Sequence, residues 1–118
     1  MTRPSVEAPQ VYPLIIGEKA NCAVDMRGVL EDGEAIASVT GVVDSHANAR
    51  TIADVARNSA TLEVDGQDVP ANQAVTFSAN STGLAATAVG KHILTATIVT
   101  NATVPQTRKR RVRIDVLA

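Results

Sequence analysis

His92-Ile93-Leu94-Thr95-Ala96-Thr97-Ile98-Val99-Thr100, followed by Arg108-Lys109-Arg110-Arg111-Val112-Arg113-Ile114-Asp115-Val116-Leu117, decides the fold class. In the first run Leu94, Ala96 and Ile98 fall at every second position. In the second, Val112, Ile114 and Val116 alternate with Arg111, Arg113 and Asp115. A period of two puts one set of side chains on one face of an extended strand and the rest on the other, which a helix of 3.6 residues per turn does not do. Both runs are also rich in β-branched residues, whose stiff side chains suit a pleated surface.

Working outward, the same period joins Ala20, Cys22, Val24 and Met26 against Asn21, Ala23 and Asp25, and it returns in Val75, Phe77 and Ala79. Val11 to Ile16 precedes them, and Pro13 removes a ladder donor there, which predicts an edge strand. Ala35 to Val43 is a further β run with Gly41 as a bulge, and Thr61 to Asp65 is another strand. Gly17-Glu18, Glu31-Asp32-Gly33-Glu34 and Gly66-Gln67-Asp68 supply turns, because Gly and Asp tolerate turn backbone angles. Asp44 to Arg50 is a polar loop, and Asn80 to Gly83 is another. Residues 51–57 fit two patterns: Ile52, Val55 and Ala56 at i, i+3 and i+4 allow a helical turn, and a short strand fits as well. About seven short strands with closely spaced turns predict an all-β sandwich or barrel. Residues 1–10, with Pro4 and Pro9 among polar residues, predict an extended N-terminal arm, and residues 11–118 a single domain without internal repeat.

Composition narrows the function. A chain of 118 residues hides roughly 65% of its unfolded surface on folding, enough for one core. Tyr12 and Phe77 are its aromatics and Trp is lacking, which argues against sugar-binding surfaces and base-stacking platforms. A formal net charge of −1 gives no overall attraction to nucleic acid or anionic membrane. One cysteine, Cys22, excludes an internal disulfide and points to synthesis in a reducing compartment. No run approaches the roughly 20 apolar residues of a membrane span, and Met1 to Glu7 lacks the apolar centre of a secretory signal. The expectation is a protein made and kept soluble in a cytoplasm.

Chemistry-bearing residues are few. Cys22 sits at an apolar-facing strand position, where cysteine acts as a small hydrophobe. His46 lies beside Asp44 and His92 lies far along the chain, and nothing supplies the three or four closely spaced ligands of a metal site. Glu31, Asp32 and Glu34 form too short a run for a calcium loop. No nucleophile–base arrangement or phosphate-cradling glycine loop occurs, so no cofactor, no metal and no enzymatic activity are expected. Asn80-Ser81-Thr82 and Asn101-Ala102-Thr103 match the glycosylation pattern by chance, without a signal peptide beside them. The run Arg108 to Arg111, with Arg113, suggests phosphate contacts. Strand alternation sends these charges to both sides, however, and edge protection or a subunit contact ranks above nucleic acid. Candidate protein-contact residues are Arg3 and Pro4 in the arm, His46 and Arg50 in the loop, and Arg108, Lys109, Arg110 and Arg111 in the last strand.

Gly17-Glu18 leads into the strand carrying Asp25, and Leu30-Glu31-Asp32-Gly33-Glu34-Ala35-Ile36-Ala37-Ser38 follows. This arrangement resembles the L-x-D-G-D-x-I-x-S stretch of small phage-encoded immunoglobulin-like proteins labelled fiber–tail adaptors. Gly90-Lys91-His92 through Thr100 and Arg108 through Val116 are similar to that family's late Thr-rich strand and Arg-rich final strand. The resemblance spans residues 17–40 and 74–117; the chain differs in carrying His92 where the family has Tyr, and in a longer 44–73 region. The resemblance implies an immunoglobulin-like β-sandwich of about seven strands. It further implies a non-enzymatic virion structural protein, made in the bacterial host cytoplasm and homo-oligomeric in the particle, that joins tail and fiber components by protein–protein contacts. A capsid decoration protein is the related alternative. Recognition of a host glycan or receptor through the loops is a further one, opposed by the scarcity of aromatics.

Overall fold

The computed structural model describes residues 7–15, 17–45, 51–81 and 89–117. They form nine strands: β1 (Glu7–Ile15), β2 (Lys19–Asp25), β3 (Ile36–Asp44), β4 (Thr51–Arg57), β5 (Leu62–Val64), β6 (Gln67–Val69), β7 (Ala74–Asn80), β8 (Gly90–Thr100) and β9 (Thr107–Leu117). The described residues are all-β, with no helix among them. A four-stranded sheet runs β1-β9-β8-β3, a three-stranded sheet β2-β7-β4, and β5-β6 make a small hairpin. Neighbouring strands are antiparallel except β1 and β9, which run parallel.

Alternation builds the core. His92, Leu94, Ala96, Ile98 and Thr100 of β8 are buried, as are Arg110, Val112, Ile114 and Val116 of β9. The apolar ones share one cluster with Cys22, Val24, Val75, Phe77 and Ala79 of the three-stranded sheet, closed by Leu14, Met26, Val29, Ile36 and Val42. Each fully buried Val, Leu or Ile contributes about 1.5–3 kcal/mol. A satellite cluster of Ala23, Val64, Val69 and Ala74 lies under the β5-β6 hairpin. Ala23 and Ala74 have the opposite parity to Val24 and Val75, so the hairpin covers the outer face of the three-stranded sheet.

Several elements differ from the sequence expectation. β1 begins at Glu7, so residues 7–10, assigned above to the arm, belong to a strand, and residues 1–6 lie outside the described residues. Gln67 and Asp68 are strand, not turn. The turn is Asp65-Gly66, both with positive φ (52° and 77°), closing the Val64–Gln67 pair. This is the two-residue geometry that suits the right-handed twist of a hairpin. Residues 51–57 are strand. β4 advances from Ala53 to Ala56 while β7 retreats only from Ser78 to Thr76, and Asp54 takes φ 55°. The extra residue lets Ile52 and Val55 both pack on the core, three positions apart, and so gives a strand a helical spacing.

Three of the edge strands of the two larger sheets are interrupted. Pro13 lies on edge strand β1. On the opposite edge, β3 shifts register between Ile36 and Ser38 and again between Val39 and Gly41, the second shift meeting the bulge expected at Gly41. The Arg57 guanidinium donates to the Ile36 and Ala37 carbonyls at 2.8 and 2.7 Å, taking carbonyls of the first bulge. β4 is bulged as well, whereas β2, the other edge of the three-stranded sheet, keeps an unbroken register with β7.

Candidate protein-contact surface

Strand parity splits the basic run of β9 in two. Arg108 and Arg110 share the parity of Val112 and point inward. Arg110 is 6% exposed, and its guanidinium donates to the Asp25 carbonyl. A Cβ on Gly28 would stand 2.6 Å from Arg110 Nη2 and 2.7 Å from its Cζ, so the guanidinium lies against Gly28 and would have to shift for any larger residue. Arg108 donates to the Val29 carbonyl at 3.2 Å and pairs with Glu34 at 3.5 Å. Both arginines therefore tie β9 to the β2–β3 connection of their own chain. Arg108 and Arg110, both candidate contact residues, are thus engaged within their own chain.

The same corner holds Asp25. Arg27 grips its carboxylate with Nε at 3.0 Å and Nη2 at 2.7 Å. Burial raises the Asp25 pKa, but the Arg27 side-chain and backbone hydrogen bonds, with the charges of Arg27 and Arg110, outweigh it and hold the carboxyl below its ordinary 3.8. Burial likewise pulls the Arg110 guanidinium down, against the charge of Asp25.

Lys109, Arg111 and Arg113 have the other parity and are exposed on the outer face of the four-stranded sheet. Successive members stand roughly 6.7 Å apart along the strand. Arg113 pairs with Asp115 at 2.7 Å; its neighbour across β1 is Val11, and across β8 it is Ile93. Val11, Ile15, Val43 and Leu117 are exposed by 49, 49, 68 and 46%, with Ile15 and Leu117 side by side in register. The face thus mixes apolar and cationic groups. β9 lies between β1 and β8, so its charges at Arg111 and Arg113 do not guard an edge, and the edge-protection reading is corrected. Arg3, Pro4, His46 and Arg50 lie outside the described residues.

Two polar arrangements escaped the sequence reading. Asp44 is near His46 in sequence, but its carboxylate meets His92 Nδ1 at 3.1 and 3.2 Å, with both side chains buried. Parity was the available signal, since His92 falls in line with Leu94 and Ala96. Asn58 is 6% exposed. Its amide donates to the Ala60, Val69 and Pro70 carbonyls at 3.0, 3.3 and 2.9 Å, and its oxygen accepts from the Gln73 and Ala74 amides, each at 3.0 Å. No local pattern marks such an asparagine.

No family model matches this chain, and no curated protein does. Among the described residues no three or more His, Cys, Asp or Glu side chains converge as a metal site would require, and no helix is long and apolar enough to cross a membrane. Beside the hairpin, on the far side from the basic face, an open recess of about 570 Å³ is lined by residues including Tyr12, Asn21, Asp54, Asp65 and Ser78. Tyr12 donates its hydroxyl to the Ala23 carbonyl at 2.8 Å and accepts from the Ala23 amide at 3.2 Å. Burial raises its pKa above the ordinary 10.0, with that carbonyl hydrogen bond opposing.

Proposed function

We propose that the chain is a non-enzymatic immunoglobulin-like module that joins proteins within an assembly, the bacteriophage particle being the setting its resemblance implies. The strand order supports the fold reading. With β2, β3, β4, β7, β8 and β9 taken as strands B to G, the sheets run B-E-D and G-F-C, as in immunoglobulin domains, with β1 added beside G and the β5-β6 hairpin inserted between D and E.

The outer face of the four-stranded sheet carries the functional reading. It exposes Val11, Ile15, Val43 and Leu117 around the Lys109–Arg111–Arg113 column, and arginine set among apolar groups is a composition typical of protein interfaces. On this reading a partner meets the face of the sheet, not an added strand. Joining tail to fiber is the adaptor form of this role, and decorating the capsid is its alternative.

Mass spectrometry of purified particles from lysed host cells tests the setting. The chain is expected at a fixed copy number per particle, a few for a tail ring and hundreds for a capsid decoration. Finding it only among the soluble proteins of the lysate overturns the virion role.

A further inference from the structure

We infer that the chain associates with itself head to tail, the outer face of the four-stranded sheet in one copy docking on the acidic hairpin side of the next. This rests on reading that face as a protein-contact surface, and it names the occupant. Charge complementarity carries it. Lys91, Lys109, Arg111 and Arg113 are exposed on the face, where Arg113 pairs with Asp115. On the opposite side of the molecule, Asp54, Glu63, Asp65 and Asp68 are all exposed, around the open recess and along the hairpin. Glu63 and Asp68 stand directly across from each other in the β5-β6 register, and like charges in that relation repel. Arg27 does not answer them: it holds the Asp25 carboxylate and reaches the hairpin through the Asp68 carbonyl and the Gln67 side chain. Cations from a neighbouring copy would relieve this repulsion.

Size agrees. Four strands about 4.8 Å apart and up to eleven residues long at about 3.4 Å each make a face of roughly 700 Å², close to the roughly 800 Å² that each partner buries in a standard interface. The two complementary surfaces differ and lie on opposite sides, so the contact is heterologous. Such contacts repeat, closing into a ring or extending as a filament.

Sedimentation velocity of the full chain over a concentration series, in about 0.05 M and about 0.5 M salt, tests this. The expected mass exceeds the 12.3 kDa of one chain and rises with concentration, and the dissociation constant weakens at least about tenfold in the higher salt. Lys109→Glu with Arg111→Glu spoils one surface, and Glu63→Lys with Asp68→Lys spoils the other. Each variant, checked for parental circular dichroism and melting, is expected to be monomeric. Mixed, the two associate again, through the intact face and hairpin and, with both signs reversed, through the altered pair. A parent chain that stays monomeric, a variant that still associates, or a mixture that remains monomeric overturns the proposal. So does a parent that stays monomeric yet binds short DNA with steep salt dependence, which assigns the face to nucleic acid. A monomer found at fixed copy number in particles sinks the self-association and keeps the virion role; a self-associating chain missing from particles does the reverse.

Discussion

Replacing Asn58 with alanine removes a side chain that ties the ends of β4 and β6 to the start of β7. Its amide serves the Ala60, Val69 and Pro70 carbonyls, and its oxygen serves the Gln73 and Ala74 amides. Val69 and Ala74 have no exposed area, so water does not replace the lost partner there without opening the satellite core. A buried polar group deprived of its partner costs about 1–3 kcal/mol, and a hydrogen bond that water can replace about 0.5–1.5. Near the low ends of these ranges, two buried partners and three nearer the surface together give a loss of about 3–5 kcal/mol. That is a large share of the roughly 5–15 kcal/mol that holds a domain together. At this chain length it corresponds to a fall in Tm of roughly 12–20 °C. The chain has no Trp, so urea unfolding followed by far-ultraviolet circular dichroism is the assay, and the midpoint should fall with an unchanged slope. Asn58→Asp is the companion variant. It keeps the shape and the acceptor but sets carboxylate oxygen against three carbonyls, so its folded pKa is raised and its deficit grows as pH rises through the carboxyl range. A loss under about 1 kcal/mol for Asn58→Ala, or an Asn58→Asp variant indifferent to pH, refutes the reasoning.

Four further outcomes are expected. Asp44→Ala costs about 3 kcal/mol by breaking a buried pair, whereas joint replacement of Asp44 and His92 by leucine recovers most of it in a double-mutant cycle; full additivity would deny the coupling. Gly28→Ala displaces the Arg110 guanidinium and costs about 1–2 kcal/mol in urea unfolding, much less in an Arg110→Ala background; equal cost in both backgrounds tells against the contact. Tyr12 has a raised folded pKa, so its contribution is complete below the unfolded value near 10 and fades above it; Tyr12→Phe should lose about 1 kcal/mol at neutral pH and show a flatter alkaline limb. Asp25 has a depressed folded pKa, so its contribution is present above the ordinary carboxyl value and fades as pH falls through the lowered one; Asp25→Asn should be less stable than the parent at pH 7 and approach it in strong acid.

The sequence showed β2, β7, β8 and β9 through simple alternation, because each buries one face on a shared core. It hid β4, where the bulge at Asp54 turned a two-residue period into a three-residue one. It also hid β6, whose three residues are too few to show a period. Parity alone would have sent Arg108 and Arg110 inward with Val112, but their charge suggested the surface, and only the Asp25 and Val29 carbonyls explain their place. Neighbour relations between strands lie beyond any local pattern, so the interior position of β9 was not legible. Asn58 was invisible for the same reason, since its partners come from three separate segments.

The middle position of β9 also governs how a growing chain folds on the ribosome. Glu7 pairs with Arg111, more than a hundred residues later, and a ribosome adding about 5–20 residues per second needs several seconds to make the interval. Until β9 emerges, β1 has no neighbour and β8 holds only one of its two, so the four-stranded sheet cannot close stepwise. Folding of this sheet then waits for β9 to emerge, with the slow rates of folds built on distant contacts. The nascent chain meanwhile shows the apolar side of β8 to chaperones, or to other copies on the same message.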